Sequence, residues 1–255
     1  MFNIPSFFGF RAGSAFDSDY AAILAYATTQ GYTLPSASQR IKQNKLLVDL
    51  KAAGVWSKLD TLAIFATDGN SDFALIDWKR LSQYTAINSP TFTTNEGFAG
   101  NGTSSYIDTN FNPSIGTNQY TLNNAGRYFW VDNRSGTSPF DGCSIASTNR
   151  TINSSSPAQQ VNQGAVALNS TPTSWATDGF KSLNRTTLND VIVFANTTQS
   201  NRTALSVIIA NSNQFISRSS TQYSTHRIRL YGMGASLVSE NTDFYNAVNT
   251  YLTSL

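Results

Sequence analysis

Charge is scarce in this 255-residue chain: Asp, Glu, Lys and Arg together make up 13% of it, about half the proportion usual for soluble domains. The 17 Lys and Arg and 15 Asp and Glu leave a net charge of +2. The basic residues are scattered, so the electrostatic footprint of a nucleic-acid binder is missing. The single cysteine, Cys143, excludes an internal disulfide framework and thiolate-cluster metal sites. The single histidine, His226, leaves no set of imidazoles for a zinc centre. No apolar run approaches the ~18 residues that a membrane span needs. The opening Met1 to Phe10 is aromatic but carries no early positive charge and contains Pro5, so it is not read as a secretion signal. Polarity is carried instead by hydroxyls and amides: 32 Ser, 29 Thr and 25 Asn form about a third of the chain.

Periodicity divides the chain. Tyr20, Ile23, Leu24 and Ala27 repeat at helical spacing, with Ser18 placed to cap and Gly31 to stop. A second helix follows, with Pro35 suited to its first turn, Leu46, Leu47, Leu50 and Ala53 on one stripe and Gly54 at its end. From about Asp60 to Leu237 the helical period gives way to short runs rich in Phe, Tyr, Ile, Val and Thr between clusters of Asn, Ser, Thr and Gly. Expected strands are Thr61 to Ala66, Phe73 to Ile76, Ser105 to Thr109, Arg127 to Asp132, Gly142 to Ser147, Val191 to Ala195, Leu205 to Ala210 and Thr225 to Tyr231. That many short strands over such a length suit a two-sheet sandwich better than a small barrel. The end turns helical again, with Ser239 placed to cap and Phe244, Ala247, Val248, Tyr251 and Leu252 on one face.

Little here points to bond-breaking chemistry. His226 lies in the alternating run His226 to Tyr231, where it reads as a strand histidine beside the core, and no G-x-S-x-G nucleophile elbow accompanies it. Glycoside hydrolysis generally takes two nearby carboxylates, yet the two glutamates, Glu96 and Glu240, fall in different elements. Asp68-Gly69-Asn70-Ser71-Asp72 has the oxygen density of a calcium loop but lacks the full EF-hand pattern, so a polar turn is the preferred reading and no cofactor is implied. Composition accounts for most of the eight Asn-x-Ser/Thr triplets, so they carry no inference of glycosylation. In Arg127-Tyr128-Phe129-Trp130-Val131-Asp132, alternation sends Phe129 and Val131 inward and Tyr128, Trp130 and Asp132 to the other face. Two aromatics beside a carboxylate form a candidate sugar platform, set against the plainer reading that a helix or loops cover them. Arg227, Arg229 and Tyr231 form a similar alternate face and a candidate protein interface.

Gly97-Phe98-Ala99-Gly100, continuing to Tyr106-Ile107-Asp108-Thr109, resembles the opening strand pair of laminin-G-like, concanavalin A-type jelly-roll domains. Arg227 to Tyr231, followed by Ala235 to Asn241, resembles their closing strand and short helix. More narrowly, Gln30 to Pro35, Leu46 to Trp56, Ala74 to Lys79 and Phe244 to Leu252 resemble a group of virion proteins from tailed bacteriophages, chiefly those infecting Bacteroidota, over about residue 19 to the C-terminus. The resemblance implies a mainly β, concanavalin A-like two-sheet jelly-roll sandwich with an N-terminal helical pair and a C-terminal helix. The expected organisation is an attachment arm over 1–18, a helical subunit over 19–58 and the jelly roll with its helix over 59–255. It further implies a non-enzymatic protein located in the virion, as a tail-fibre, receptor-binding or head-surface component assembled in the host cytoplasm. It supplies no catalytic residues. Other virion proteins, copies of itself and a host surface glycan are the expected partners. Phe2, Ile4, Phe7, Phe8 and Phe10 of the arm are candidates for virion attachment.

Overall fold

The computed structural model describes residues 16–134, 138–144, 150–152, 159–163, 175 and 177–255. Helix α1 (Ser18–Thr29) starts on Asp17, whose side chain accepts from the Asp19 backbone N–H, one residue earlier than the serine that the sequence suggests. Helix α2 (Ala37–Ala52) is capped by Ser36, with Pro35 just outside it. Gly31 and Gly54 follow the two helices with φ of 76° and 72°. Lys51 at the end of α2 lies 2.5 Å from Asp17 and 2.7 Å from Asp19, and this pairing holds the Asp17 carboxyl below its ordinary pKa. A single turn, α3 (Ser71–Ala74), is capped by Asn70. Helix α4 (Asn241–Thr253) starts after Glu240, which makes no side-chain cap.

An eight-stranded antiparallel sheet runs in the order Thr198–Thr203, Asp190–Ala195, Gly179–Arg185, Ala125–Asp132, Arg227–Gly234, Gly97–Ala99 and Thr91–Thr93, with Leu59–Ile64 also pairing along Arg227–Gly234. A five-stranded sheet runs Arg150–Ile152, Pro139–Cys143, Gln214–Ile216, Tyr106–Asp108 and Thr85–Ile87. The strand expected over Phe73 to Ile76 is mostly the α3 turn. The run Leu205 to Ala210 joins no strand, and the edge of the large sheet is the polar Thr198–Thr203 instead. Thr198–Thr203 is largely exposed on both faces, so it needs no apolar alternation and gives a weak sequence signal.

Two cores result. Phe129, Val131, Ile107, Phe140, Ile216, Ile228, Tyr231 and Met233 fill the space between the sheets. The second core lies on the far face of the eight-stranded sheet, where Tyr20, Ile23, Leu47 and Leu50 of α1 and α2 and Phe244, Val248 and Tyr251 of α4 pack with Leu62, Ile64, Tyr128, Trp130 and Leu230. The layers are therefore helices, large sheet and small sheet. Gln43, buried in α2, joins the outer layer: it accepts from the Tyr20 hydroxyl at 2.8 Å and donates to Thr67 and to the Tyr251 hydroxyl, each at 3.1 Å. Tyr251 in turn donates to the Ala66 carbonyl at 2.6 Å.

A buried ion pair, Arg127 with Asp141, bridges the two sheets, and Arg127 also donates to the Gln160 carbonyl at 3.0 Å. The Gly97–Ala99 strand approaches the closing strand so nearly that a Cβ on Gly97 would lie 2.3 Å from the Ile228 carbonyl oxygen, and its φ of 95° is itself a glycine conformation. This is the physical content of the Gly-Phe-x-Gly motif at this position.

His226 precedes the closing strand, fully buried. Its Nε2 donates to the Ser138 carbonyl at 3.1 Å, and its ring meets Phe140 edge-on at 5.1 Å. Burial pushes its pKa from 6.5 down to about 4. The unfolded chain thus takes up a proton near pH 6.5 while the fold resists it until about pH 4. Stability should be full above that window and fall as the pH drops through it, by on the order of 3 kcal/mol for this group. Urea titrations from pH 7 to pH 4 should show a shallower decline for His226→Gln than for the parent; parallel profiles would contradict the assignment.

Candidate functional site

The structure separates the residues that sequence alternation grouped. Tyr128 is fully buried; its hydroxyl donates to the Ala235 carbonyl at 2.6 Å and lies 3.1 Å from the Asn184 side-chain oxygen. Its ring meets Phe244 of α4 at 5.4 Å. Trp130 is 8% exposed and stacks on Tyr245 with rings 5.9 Å apart and 8° from parallel. Asp132 pairs with Arg229 at 3.2 Å; burial raises its carboxyl pKa and Arg229 opposes the rise. The face of Tyr128 and Trp130 is therefore the seat of the C-terminal helix, and the expected sugar platform is corrected to a packing surface.

The expected trio of Arg227, Arg229 and Tyr231 is also divided. The pairing with Ala125–Asp132 shifts between Ile228 and Leu230, and a bulge of this kind reverses which face later residues take. Ile228 and Tyr231 consequently both enter the inter-sheet core, while Leu230 packs under the helices. Tyr231 is fully buried, its hydroxyl 2.8 Å from the Met233 sulfur. Arg227 pairs with Glu96, and Arg229 with Asp132 and the Asn95 carbonyl.

Glu240 pairs with Lys58 at 2.7 Å, far in the fold from Glu96 in its own ion pair. In the 68–72 loop, Asp68 accepts from the Ser36 backbone at 3.0 Å and Asn70 caps α3, the pattern of a polar turn. Phe2, Ile4, Phe7, Phe8 and Phe10 lie outside the described residues.

Among the described residues no helix packs on the outer face of the five-stranded sheet, where Phe215 is buried at 7% exposure and Tyr106, Asp108, Arg218 and Tyr223 are half-buried. Along Tyr106–Asp108, Ile107 points inward and Tyr106 and Asp108 outward; along Gln214–Ile216, Ile216 enters the inter-sheet core and Phe215 stays out of it. Tyr106 meets Phe215 at 5.1 Å and Tyr223 at 6.2 Å. The guanidinium of Arg218, on the small hairpin Arg218–Ser219 with Gln222–Tyr223, lies 4.5 Å from the ring of Tyr106, 4.7 Å from Phe215 and 5.6 Å from Tyr223. Asp108 accepts from the Asn110 backbone at 2.8 Å and from the Asn213 side chain at 3.1 Å.

Two hollows adjoin these side chains. One, of about 410 Å³, is lined by Thr103, Ser138, Pro139, Gln222 and Tyr223. The other, of about 350 Å³, is lined by Arg80, Asn110, Phe111, Asn112, Asn118 and Asn213. Arg80 is fixed there by Asp77 at 2.5 Å and by the carbonyls of Thr109 at 2.6 Å and Asn110 at 2.9 Å. Rings, amides for hydroxyl groups and the cations Arg218 and Arg80 lie on this face, the mixture that suits a polyhydroxylated ligand. A hollow of about 380 Å³ between α2 and α4 lacks aromatic lining, and its Lys45 and Asp49 pair with each other at 2.8 Å.

No family model matches the chain, and no curated protein matches it. Solved structures do. A mutant sialidase of Trypanosoma rangeli that displays trans-sialidase activity matches with a TM-score of 0.50 at 11% identity, over 82% of this chain and 39% of the sialidase. The fold is a two-sheet jelly roll. Domain 4 of AbnA, a GH43 extracellular arabinanase from Geobacillus stearothermophilus, matches at 16% identity over 74% of this chain and 98% of that domain, with a TM-score of 0.44. The receptor binding domain of botulinum neurotoxin C/D mosaic serotype matches at 7% identity over 76% and 52% of the two chains, with a TM-score of 0.49. At these identities the likeness concerns the jelly roll alone.

Trp130→Ala should act on stability: emptying the space between Phe180, Tyr245 and the sheet is expected to cost about 3–5 kcal/mol. Its urea midpoint should fall accordingly. An unchanged midpoint would show that Trp130 is not packed under α4.

Proposed function

We propose that this chain is a non-enzymatic surface protein of a bacteriophage particle, a fibre or decoration component, and that it binds host glycans through the outer face of its five-stranded sheet. The observation that carries the glycan reading is the cluster of Tyr106, Phe215 and Tyr223 around Arg218, beside the amide-lined hollow at Asn110 and Asn213. The phage setting is supported by the sequence resemblance, which spans the helical pair, the jelly roll and the C-terminal helix, and by a composition poor in charge and rich in Ser, Thr and Asn. Such a surface suits packing against copies of itself and other virion proteins while loops are displayed. The fold likeness to a sialidase brings no activity with it. Glu96 and Glu240 are each engaged by a cation and stand on separate elements, so the reading assigns no hydrolysis.

The test is a glycan array with the purified chain, beside Tyr106→Ala and Tyr223→Ala. Loss of a stacking ring should weaken binding on the order of tenfold, about 1.4 kcal/mol, without release of reducing ends. Undiminished binding by both variants would remove this face from the reading, and turnover of a bound glycan would overturn the non-enzymatic assignment. Peptide mass spectrometry of purified phage particles checks the setting: the chain should be present in fixed stoichiometry, and its absence would leave a free adhesin.

A further inference from the structure

We infer that Arg218 reads the carboxylate of an acidic sugar. This rests on the glycan reading of the same face and adds the charge of the ligand to it. Arg80, Arg127, Arg134, Arg227 and Arg229 each meet a carboxylate, of Asp77, Asp141, Asp178, Glu96 and Asp132 respectively, while Arg185 is engaged by the carbonyls of Val161, Leu188 and Ala204. Arg218 meets none within 4 Å among the described residues. Its Nε donates to the Ser220 carbonyl at 2.9 Å, and neither terminal nitrogen has a partner among the described residues.

A partly exposed arginine with two idle nitrogens is common. An arginine held among three aromatic rings is not idle in orientation. Tyr106 and Phe215 lie on paired strands beneath the guanidinium, and Tyr223 faces Arg218 across its hairpin. Stacking together with the Ser220 bond fixes the plane of the group, so its remaining fork is presented ready-made, and ordering it on binding costs little. A planar fork of two N–H groups matches a carboxylate through two parallel bonds.

The chemistry of the neighbourhood selects among anions. The other acid on this face, Asp108, is held by Asn110 and Asn213 and makes no pair with Arg218. A phosphate monoester, carrying close to two charges, would call for a second free cation, whereas Arg80 is already spent on Asp77 and two carbonyls. A single fork suits a singly charged carboxylate. Tyr223 then leads into the hollow of Thr103, Ser138 and Gln222, whose hydroxyls and amide are partners for the uncharged remainder of a sugar. A peptide carboxylate would use the fork but leave that polar hollow without a matching ligand.

The experiment measures binding of the full chain to a panel of oligosaccharides containing uronic or nonulosonic acids, each beside its carboxyl-reduced counterpart, with poly-glutamate as the acidic peptide. The parent should bind at least one acidic oligosaccharide ten times or more tighter than its reduced form, and poly-glutamate should not compete. Arg218→Gln should erase that preference while retaining the residual affinity for the reduced sugar; Arg218→Lys should keep part of it. Thermal melts of both variants establish that they fold. Equal binding of acidic and reduced forms, still sensitive to Tyr106→Ala, would overturn this inference and leave the glycan reading standing. Competition by poly-glutamate at equal affinity would show a site for acidic protein instead. Failure to bind any glycan on the panel or the array would overturn both.

Discussion

The organisation of this molecule depends on one constraint: the central strands of its large sheet are buried on both faces. The strand Ala125–Asp132 shows it most directly. Phe129 and Val131 face the small sheet, Tyr128 and Trp130 face the helices, and all four are buried or nearly so. Each apolar side chain removed from water contributes roughly 1.5–3 kcal/mol, so a central strand that buries both rows of side chains commits the chain to a third layer. Helices α1, α2 and α4 are that layer. The consequence for function is positional, because among the described residues the small sheet's outer face carries no helix, and the half-buried Tyr106 and Tyr223 lie there.

Charged and amide side chains hold these layers in register more than they decorate the surface. Gln43 ties α1, α2 and α4 to the sheet edge through one buried amide. Asp77 accepts from Thr61 at 2.5 Å and from the backbone of Lys79 at 2.9 Å while fixing Arg80, which reaches the end of the Tyr106–Asp108 strand. Arg127 and Asp141 span the inter-sheet space. Buried polar groups of this kind are costly unless satisfied, and their value lies in specifying one arrangement of the layers. In a chain with so few charges, Arg218 is set apart by three aromatic rings and by having no carboxylate within 4 Å among the described residues.

Much of the fold was legible in the sequence because the periodicities are strong. The stripes Tyr20 to Ala27 and Phe244 to Leu252 are buried as their spacing requires, and Phe129 and Val131 point inward as alternation predicts. Local pattern assigns a side chain to a face but does not say what covers that face. This is why Tyr128 and Trp130 read as a candidate platform beside the plainer reading of a face covered by a helix or loops. Alternation also presumes an unbroken register, and the bulge at Arg229 defeats it. The edge strand Thr198–Thr203 was missed because its exposure removes the apolar signal, while the exposed Leu205, Val207 and Ile208 imitate it. The cluster on the small sheet could not be assembled from sequence at all: Tyr106 is more than a hundred residues from Phe215, Arg218 and Tyr223, and only the pairing of Gln214–Ile216 with Tyr106–Asp108 brings them together.

Hydroxyl-radical footprinting with residue-level mass spectrometry tests most directly that the helices seal Tyr128 and Trp130 while Tyr106 and Tyr223, beside the small sheet, keep part of their surface in solvent. Tyr128 and Trp130 should resist modification in the folded protein, and Tyr106 and Tyr223 should be modified readily. The reverse pattern, with Tyr128 and Trp130 reactive and Tyr106 and Tyr223 protected, would contradict the layer order on which the whole account stands.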